Sequence, residues 1–408
     1  MQFLTRFLAL AAAAVPFLAQ AAPVSTAVAG QVIPGKWIIQ LTPEADIATI
    51  AAHKVKVREI HARNIARRDI ADEETGGIER EFGFGDFKAY SGSFDAATIE
   101  ELKAMPEVLN VEMDTIMTTL GLVTESAAPW GLASISSRQK GAVDYVYDES
   151  GGQGMFNYLV DTGVRITHKE FSGGRAVWGY NAVNNQNTDN AGHGTHVAGT
   201  MVGSTYGVAK KATVVAVKIF EGSSGSSSTV ISGFNWAVND IVAKNRTNNA
   251  VINMSLGGAA SATWDAAVTA AWNQGVLAVV AAGNENRDAS LVSPARSPET
   301  ICVGNIQSDD VRRQGSTGSN YGSAVDIFAP GTSILSSYYT SDSATTSMTG
   351  TSMASPHVAG LVSYIRGLEG PMSAADVKKR VYELATPGRV QDPKGSANLL
   401  AYNGNAKQ

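Results

Sequence analysis

Three short stretches of the chain combine residue types that acid–base and nucleophilic chemistry require. They are Asp161-Thr162-Gly163, His193-Gly194-Thr195-His196-Val197-Ala198-Gly199 and Gly350-Thr351-Ser352-Met353-Ala354-Ser355-Pro356. A serine hydroxyl attacks poorly at neutral pH until a neighbouring imidazole takes its proton. That imidazole needs a buried carboxylate to hold its tautomer and to stabilise the imidazolium that forms. Ser352, His193 and Asp161 are therefore the candidate nucleophile, general base and orienting carboxylate. Gly192 and Gly194 flank His193 and allow backbone and substrate to approach closely. Pro356 is expected in the first turn of a helix starting at Ser352, where free N–H groups point outward. One such N–H could stabilise a tetrahedral oxyanion, and the Asn284 side chain could supply a second donor.

Other chemistries fit these residues less well. Asp-Thr-Gly also occurs in aspartic proteases, but those need two copies and the chain has one. His193 and His196 lack the glutamate that a helical zinc-protease motif places between its histidines. His196 and His357 sit in apolar helical patterns and read as structural. The Gly-x-Ser-x-Gly elbow of lipases and esterases is absent. A binding protein with a disabled site would show a broken constellation, and Asp161, His193, Asn284 and Ser352 are all present.

The elements that must position these groups follow from hydrophobic pattern. Phe156–Val160, Thr213–Ile219, Ala250–Met254 and Val276–Ala281 are continuous apolar runs, as suits strands buried on both faces of a parallel sheet. Helical patterns alternate with them at Thr229–Lys244 and Ala262–Gln274, and two more follow at Ser352–Leu368 and Ser373–Ala385. This is an α/β layered domain with a mostly parallel central sheet flanked by helices. In such sheets ligands bind beyond the carboxyl ends of the strands. Asp161, Ser255 and Asn284 each follow a buried run, so they are expected along one edge.

A different unit precedes this domain. Residues 1–122 hold 11 basic and 16 acidic side chains, which accounts for the whole formal charge of −5. Arg6, the apolar run Phe7–Ala19 and Ala19-Gln20-Ala21 together read as a secretory signal over residues 1–21. Residues 22–122 alternate strand and helix: a strand at Trp37–Leu41, a helix at Pro43–Ala52, and a strand at Phe87–Phe94. A helix capped by Asp95 and a strand at Val108–Met113 follow. The order β-α-β-β-α-β suits a small ferredoxin-like α+β domain. The charged stretch Arg63–Arg80 reads as a loop containing Arg67-Arg68, and residues 119–129 as a linker leading into the domain at 123–408.

Composition narrows the partners. No strongly basic surface points to nucleic acid or an anionic membrane, and no later segment reads as a membrane anchor. Cys302 is the only cysteine and lies between Ile301 and Val303, so it reads as a buried thiol with no intramolecular disulfide. Asn245-Arg246-Thr247 is a candidate glycosylation acceptor, whereas Asn253-Met254-Ser255 falls in a buried strand.

The chain order Asp, His, Ser, the three motifs and the Asn284 segment resemble the subtilisin-like serine peptidases. Similarity is greatest to the proteinase K subgroup and runs from about Pro129 to Ala385, including Ala128-Pro129-Trp130-Gly131-Leu132 and Ser319-Asn320-Tyr321-Gly322-Ser323. The resemblance implies a secreted, monomeric endopeptidase acting on proteins and peptides, with its leader as intramolecular inhibitor and folding template. It implies that Ser255, Leu256, Gly257, Gly258, Ala281, Ala282 and Gly283 wall the primary specificity pocket. With small side chains and no acid at those positions, a bulky aromatic or aliphatic P1 residue is expected. It implies that Ser223, Ser224 and Gly225 form an edge to which substrate backbone adds. Ser227 stands where many relatives carry a pocket-rim tyrosine, which loosens selection at P4. It also implies a calcium site made by Pro298, Thr300 and Asp326.

Overall fold

The computed structural model describes residues 32–66, 76–115 and 121–405. The signal segment 1–21 and the Arg67-Arg68 pair lie outside the described residues. The chain divides into two compact units between Thr119 and Leu120.

The first unit has the expected β-α-β-β-α-β order, with antiparallel strands arranged as Gly77–Phe84, Phe87–Ser93, Val32–Leu41 and Val108–Thr115. Its core gathers Ile39, Leu41, Val57, Ile60, Tyr90, Phe94, Ile99 and Leu102. Asp95 caps the second helix by accepting from Thr98 N–H at 2.7 Å. Two elements depart from the sequence expectation. The first helix runs Ile47–Ala66 rather than ending at Ala52, because polar residues occupy part of its buried face. His53 bonds Glu107 at 2.8 Å and Tyr90 at 3.0 Å, and Asn64 donates to Thr98 at 3.2 Å. A helix that buries paired polar groups shows little apolar periodicity. The end of the charged stretch expected as a loop begins the strand Gly77–Phe84, an edge strand whose Glu79 and Glu81 pair with Lys36 and Lys54.

In the second unit a nine-stranded sheet runs in the order Thr386–Pro387, Leu399–Leu400, Ile327–Pro330, Ile301–Ile306, Ala278–Ala281, Ala250–Met254, Phe156–Asp161, Thr213–Lys218 and Ala176–Asn181. All pairings are parallel except the Thr386/Leu399 hairpin at one edge. The helices His193–Val202, Thr351–Glu369 and Ala374–Leu384 share one apolar cluster with one face of the sheet, while Ser227–Ala243 and Ala262–Asn273 share another. Covering both faces is what makes the strands uniformly apolar. Part of the expected linker is structured: Leu122–Glu125 pairs antiparallel with Tyr145–Asp148.

The helix carrying His193 is held against the strand Ile334–Ser337 at backbone distance. Ser336 and Ser337 hydroxyls donate to His196 and Thr195 carbonyls, both at 2.8 Å. A Cβ on Gly199 would stand 2.3 Å from each hydroxyl oxygen and 3.0 Å from Ser337 N. Gly199→Ala should therefore destabilise the second unit by roughly 1–3 kcal/mol. A lowered midpoint in thermal or denaturant unfolding of covalently inhibited enzyme checks this, and an unchanged midpoint contradicts it.

Candidate active site

Asp161 ends a central strand and is 1% exposed. Its Oδ1 accepts from Thr162 N–H at 2.7 Å and pairs with His193 Nδ1 at 2.7 Å. His193 opens its helix, with its side chain one-third exposed at the floor of a cleft. Burial opposes charging the ring, but Asp161 and Asp189 outweigh it and hold the His193 pKa above the ordinary value.

The pair is fixed by side chains to which the sequence reading assigned no role. Thr162 Oγ1 accepts from Gly194 N–H and donates to buried Asp189, both at 2.8 Å. Asp189 also accepts from the N–H groups of Ala191, Gly192 and Thr195 and from the Thr195 hydroxyl. The strand end and the helix start are thereby tied across one threonine. A Cβ on Gly194 would lie 2.1 Å from Gly163 O, so this approach requires glycine. Fully buried Lys218 donates to Thr162 and Thr188 carbonyls at 2.9 Å. One signal was available: Asp189 accepts from residues two and three ahead, as aspartates at turns do. Lys218 sits inside an apolar run and had none.

Ser352 is the second residue of the helix Thr351–Glu369. Pro356 is inside this helix rather than in its first turn, and it cannot donate to the carbonyl four residues back. That carbonyl belongs to Ser352, and Ser255 Oγ donates to it at 2.8 Å. The Ser352 hydroxyl donates to Ser255 O at 3.1 Å rather than to His193. Asn284 Oδ1 accepts from Thr351 N–H at 2.8 Å and from Thr351 Oγ1 at 3.1 Å. This fixes the Asn284 amide by its oxygen, leaving Nδ2 as its donor end, at the wall of the cavity that it shares with Ser352.

Two cavities meet at Ser352. The larger, about 650 Å³, takes in His193, Ser223, Ser224, Gly225, Ser255 and Ser227, with Phe220, Val230 and Trp264 behind. Ser223–Gly225 are exposed and lie outside the sheet. The smaller, about 210 Å³, is lined by Leu256, Gly257, Gly258, Ala281, Gly283 and Asn284. Ala282 is not among its walls: it is fully buried in the core and its carbonyl accepts from Asn320 at 2.9 Å. The expected wall positions carry no acid, but Glu285 and Arg287, which the expectation did not include, also line the cavity, 3.7 Å apart. Their opposite charges balance within the pocket.

Histidines expected to be structural are so placed. His196 and His357 are buried on the carbonyls of Ile334 and Met353, and burial pulls each pKa down to about 4. Cys302 is fully buried, which pushes its thiol pKa up. Asn253 is buried and donates to Ser255, whereas Asn245 is exposed at a helix end.

Pro298 and Thr300 do not present open calcium ligands. Lys378 Nζ donates to the Pro298 carbonyl at 2.5 Å and the Thr300 carbonyl at 2.7 Å. Asp326 accepts from Cys302 N–H at 2.8 Å. Calcium takes roughly six to eight oxygens at about 2.3–2.6 Å, so an ion on both carbonyls would need the volume that the ammonium fills. The expected calcium set does not fit. Among the described residues, no group of three or more His, Cys, Asp or Glu could hold a metal. Among them also, no helix is long and apolar enough to cross a membrane.

Comparison with known proteins bears on both units. Residues 152–402 match the subtilase family, whose members commonly bind structural calcium, and residues 36–120 match the peptidase inhibitor I9 family. The chain is 49% identical to alkaline protease 1 of Aspergillus oryzae over 407 residues, covering 100% of both chains. It is 49% identical to the alkaline proteinase of Hapsidospora chrysogena, covering 92% of this chain and 93% of that one. A crystal structure of a cold-adapted subtilisin-like serine proteinase superposes with a TM-score of 0.63 at 41% identity, covering 68% of this chain and 99% of its own. The chain therefore belongs to the subtilase family of serine peptidases, with an I9-type inhibitor domain ahead of the enzyme.

Proposed function

We propose that this chain is the secreted zymogen of an endopeptidase in which Ser352 is the nucleophile, His193 the general base, Asp161 its orienting partner and Asn284 an oxyanion donor. The observation that carries the reading is buried Asp161 paired at 2.7 Å with His193, which lines one cleft with a serine at a helix start. The Ser352 side chain rotates away from the Ser255 carbonyl and gives its proton to His193 Nε2 as Oγ bonds to the scissile carbonyl carbon. The developing oxyanion is held by Asn284 Nδ2–H and the Ser352 N–H, which lies in the helix's unpaired first turn. His193 passes the proton to the leaving amine as the C–N bond breaks, and water then releases the acyl group.

Small walls at Gly257, Gly258, Ala281 and Gly283 favour a bulky aromatic or aliphatic P1 residue, with the balanced Glu285–Arg287 pair leaving no net charge to select a charged one. The exposed Ser223–Gly225 backbone would pair with extended substrate. The I9-type leader is read as inhibitor and folding template, removed by Ser352 itself within a few residues of Leu122–Val123. The division of the two units at Thr119–Leu120 and the end of the I9 match at residue 120 support a cut in this vicinity. Secretion rests on the N-terminal signal pattern alone. Calcium remains a family property here, because the expected ligands hold a lysine.

Only a neutral imidazole can accept the Ser352 proton, so activity is lost as pH falls through the His193 pKa. Because that pKa is raised, the acid limb of kcat/KM should have its midpoint above about 6.5. A midpoint at or below that value in a pH–rate profile would contradict the carboxylates' assigned effect. Asn284→Ala should lower turnover by about two to three orders of magnitude with little change in KM; steady-state kinetics at the parental rate would remove its oxyanion role. Ser352→Ala, expressed in a host lacking related peptidases, should accumulate as uncut precursor. If intact mass and N-terminal sequencing find it matured at the same bond, the leader is removed by another enzyme.

A further inference from the structure

Lys378 stands in the second turn of the helix Ala374–Leu384. Buried Ala374, Val377 and Val381 fix that helix's rotation against the core, and Lys378 is carried with them toward the start of the strand Ile301–Ile306. Its ammonium reaches the Pro298 and Thr300 carbonyls at 2.5 and 2.7 Å. Burial works against its charge while Asp326 and Glu299 work for it, and the Trp272 ring centre lies 5.6 Å away. Two carbonyls, nearby carboxylate charge and an enclosing aromatic make a cation site, and the cation is covalently attached.

We propose that the Lys378 ammonium is this chain's permanent substitute for a divalent ion at the Pro298–Thr300–Asp326 position, so that no metal binds there. An ion and the ammonium compete for the same oxygens and repel each other, so occupancy by one excludes the other. The consequence concerns stability. A dissociable ion stabilises a fold in proportion to its free concentration, by mass action. A tethered ammonium does so at any calcium level and cannot be chelated. The helix Ala374–Leu384 is thus fastened to the sheet under conditions where an ion-dependent fastening would be lost.

The test uses mature enzyme blocked by a covalent serine reagent, with terbium as calcium surrogate and Trp272 as the sensitiser of its emission. The parent should give no tryptophan-sensitised emission that depends on Asp326. Lys378→Met, which keeps the apolar stem and removes the charge, should melt lower by roughly 5 °C or more in chelator, because two carbonyls lose their donor. It should also acquire one terbium site, competed by calcium and abolished by adding Asp326→Asn. Emission from the parent that disappears in Asp326→Asn alone would overturn the proposal, since an ion would then displace the ammonium. So would a Lys378→Met protein that neither melts lower nor binds terbium. The parent and Asp326→Asn comparison decides the matter even if Lys378→Met does not fold.

Discussion

Asp161 is a carboxylate almost wholly withdrawn from water, and an uncompensated charge in that position would be costly enough to be neutralised or exposed. Here the compensation is directional. Thr162 N–H and His193 Nδ1 both meet Oδ1 at 2.7 Å, so the charge that threatens the fold also fixes the orientation of the base. Everything else in the cleft requires that strand end and helix start to remain in register. Thr162, Asp189 and Lys218 enforce it through hydrogen bonds to backbone groups of both segments, and Gly194 permits the approach.

The nucleophile's helix shows the same economy of parts. Pro356 removes a donor from the turn that carries Ser352, and the freed Ser352 carbonyl is taken by Ser255. Ser255 borders the cleft, so one side chain satisfies the helix and helps to place its start beside the substrate's path. Thr351 acts in parallel. It holds the Asn284 amide from one side and accepts from Gly283 N–H on the other, linking the nucleophile's neighbour to the pocket wall. Gly283, Asn284, Ser255 and the helix start at Thr351-Ser352 are consequently one hydrogen-bonded body, which is the condition for donors to be aimed before charge develops.

Far from the cleft, the second unit is stabilised without cross-links, since the chain's one cysteine is a buried hydrophobe. Apolar clusters on both sheet faces supply most of the burial. Cations then tie separate segments through backbone carbonyls: buried Lys218 near the base, buried Arg366 on Ala250 O, and half-buried Lys378 on Pro298 and Thr300. Each donates to backbone carbonyls of segments distant in sequence, a task that ordered ions or water perform in other proteins.

By itself the sequence determined the α/β class, every leader strand and helix but one strand, and the groups proposed for the chemistry. Short continuous apolar runs alternating with helical patterns suit strands covered on both faces, and Asp161, His193, Asn284 and Ser352 were singled out by residue type and chain order. Elements whose buried faces carry paired polar groups were not legible: the full length of Ile47–Ala66 and the strand Gly77–Phe84 emerge only when His53, Asn64 and Glu79 find distant partners. The same reason governs the site. Asp189 and Lys218 are ordinary charged residues until folding surrounds them with backbone groups, and Glu285 and Arg287 enter the pocket only through a loop's path. At the expected calcium ligands, tertiary structure reversed the reading. Pro298, Thr300 and Asp326 are oxygen donors in any alignment, but whether a metal or an ammonium meets those carbonyls depends on where a helix about 80 residues away directs Lys378. Local pattern records what a residue can bond; only the packed chain decides which partner arrives, because that depends on contacts between segments far apart in sequence.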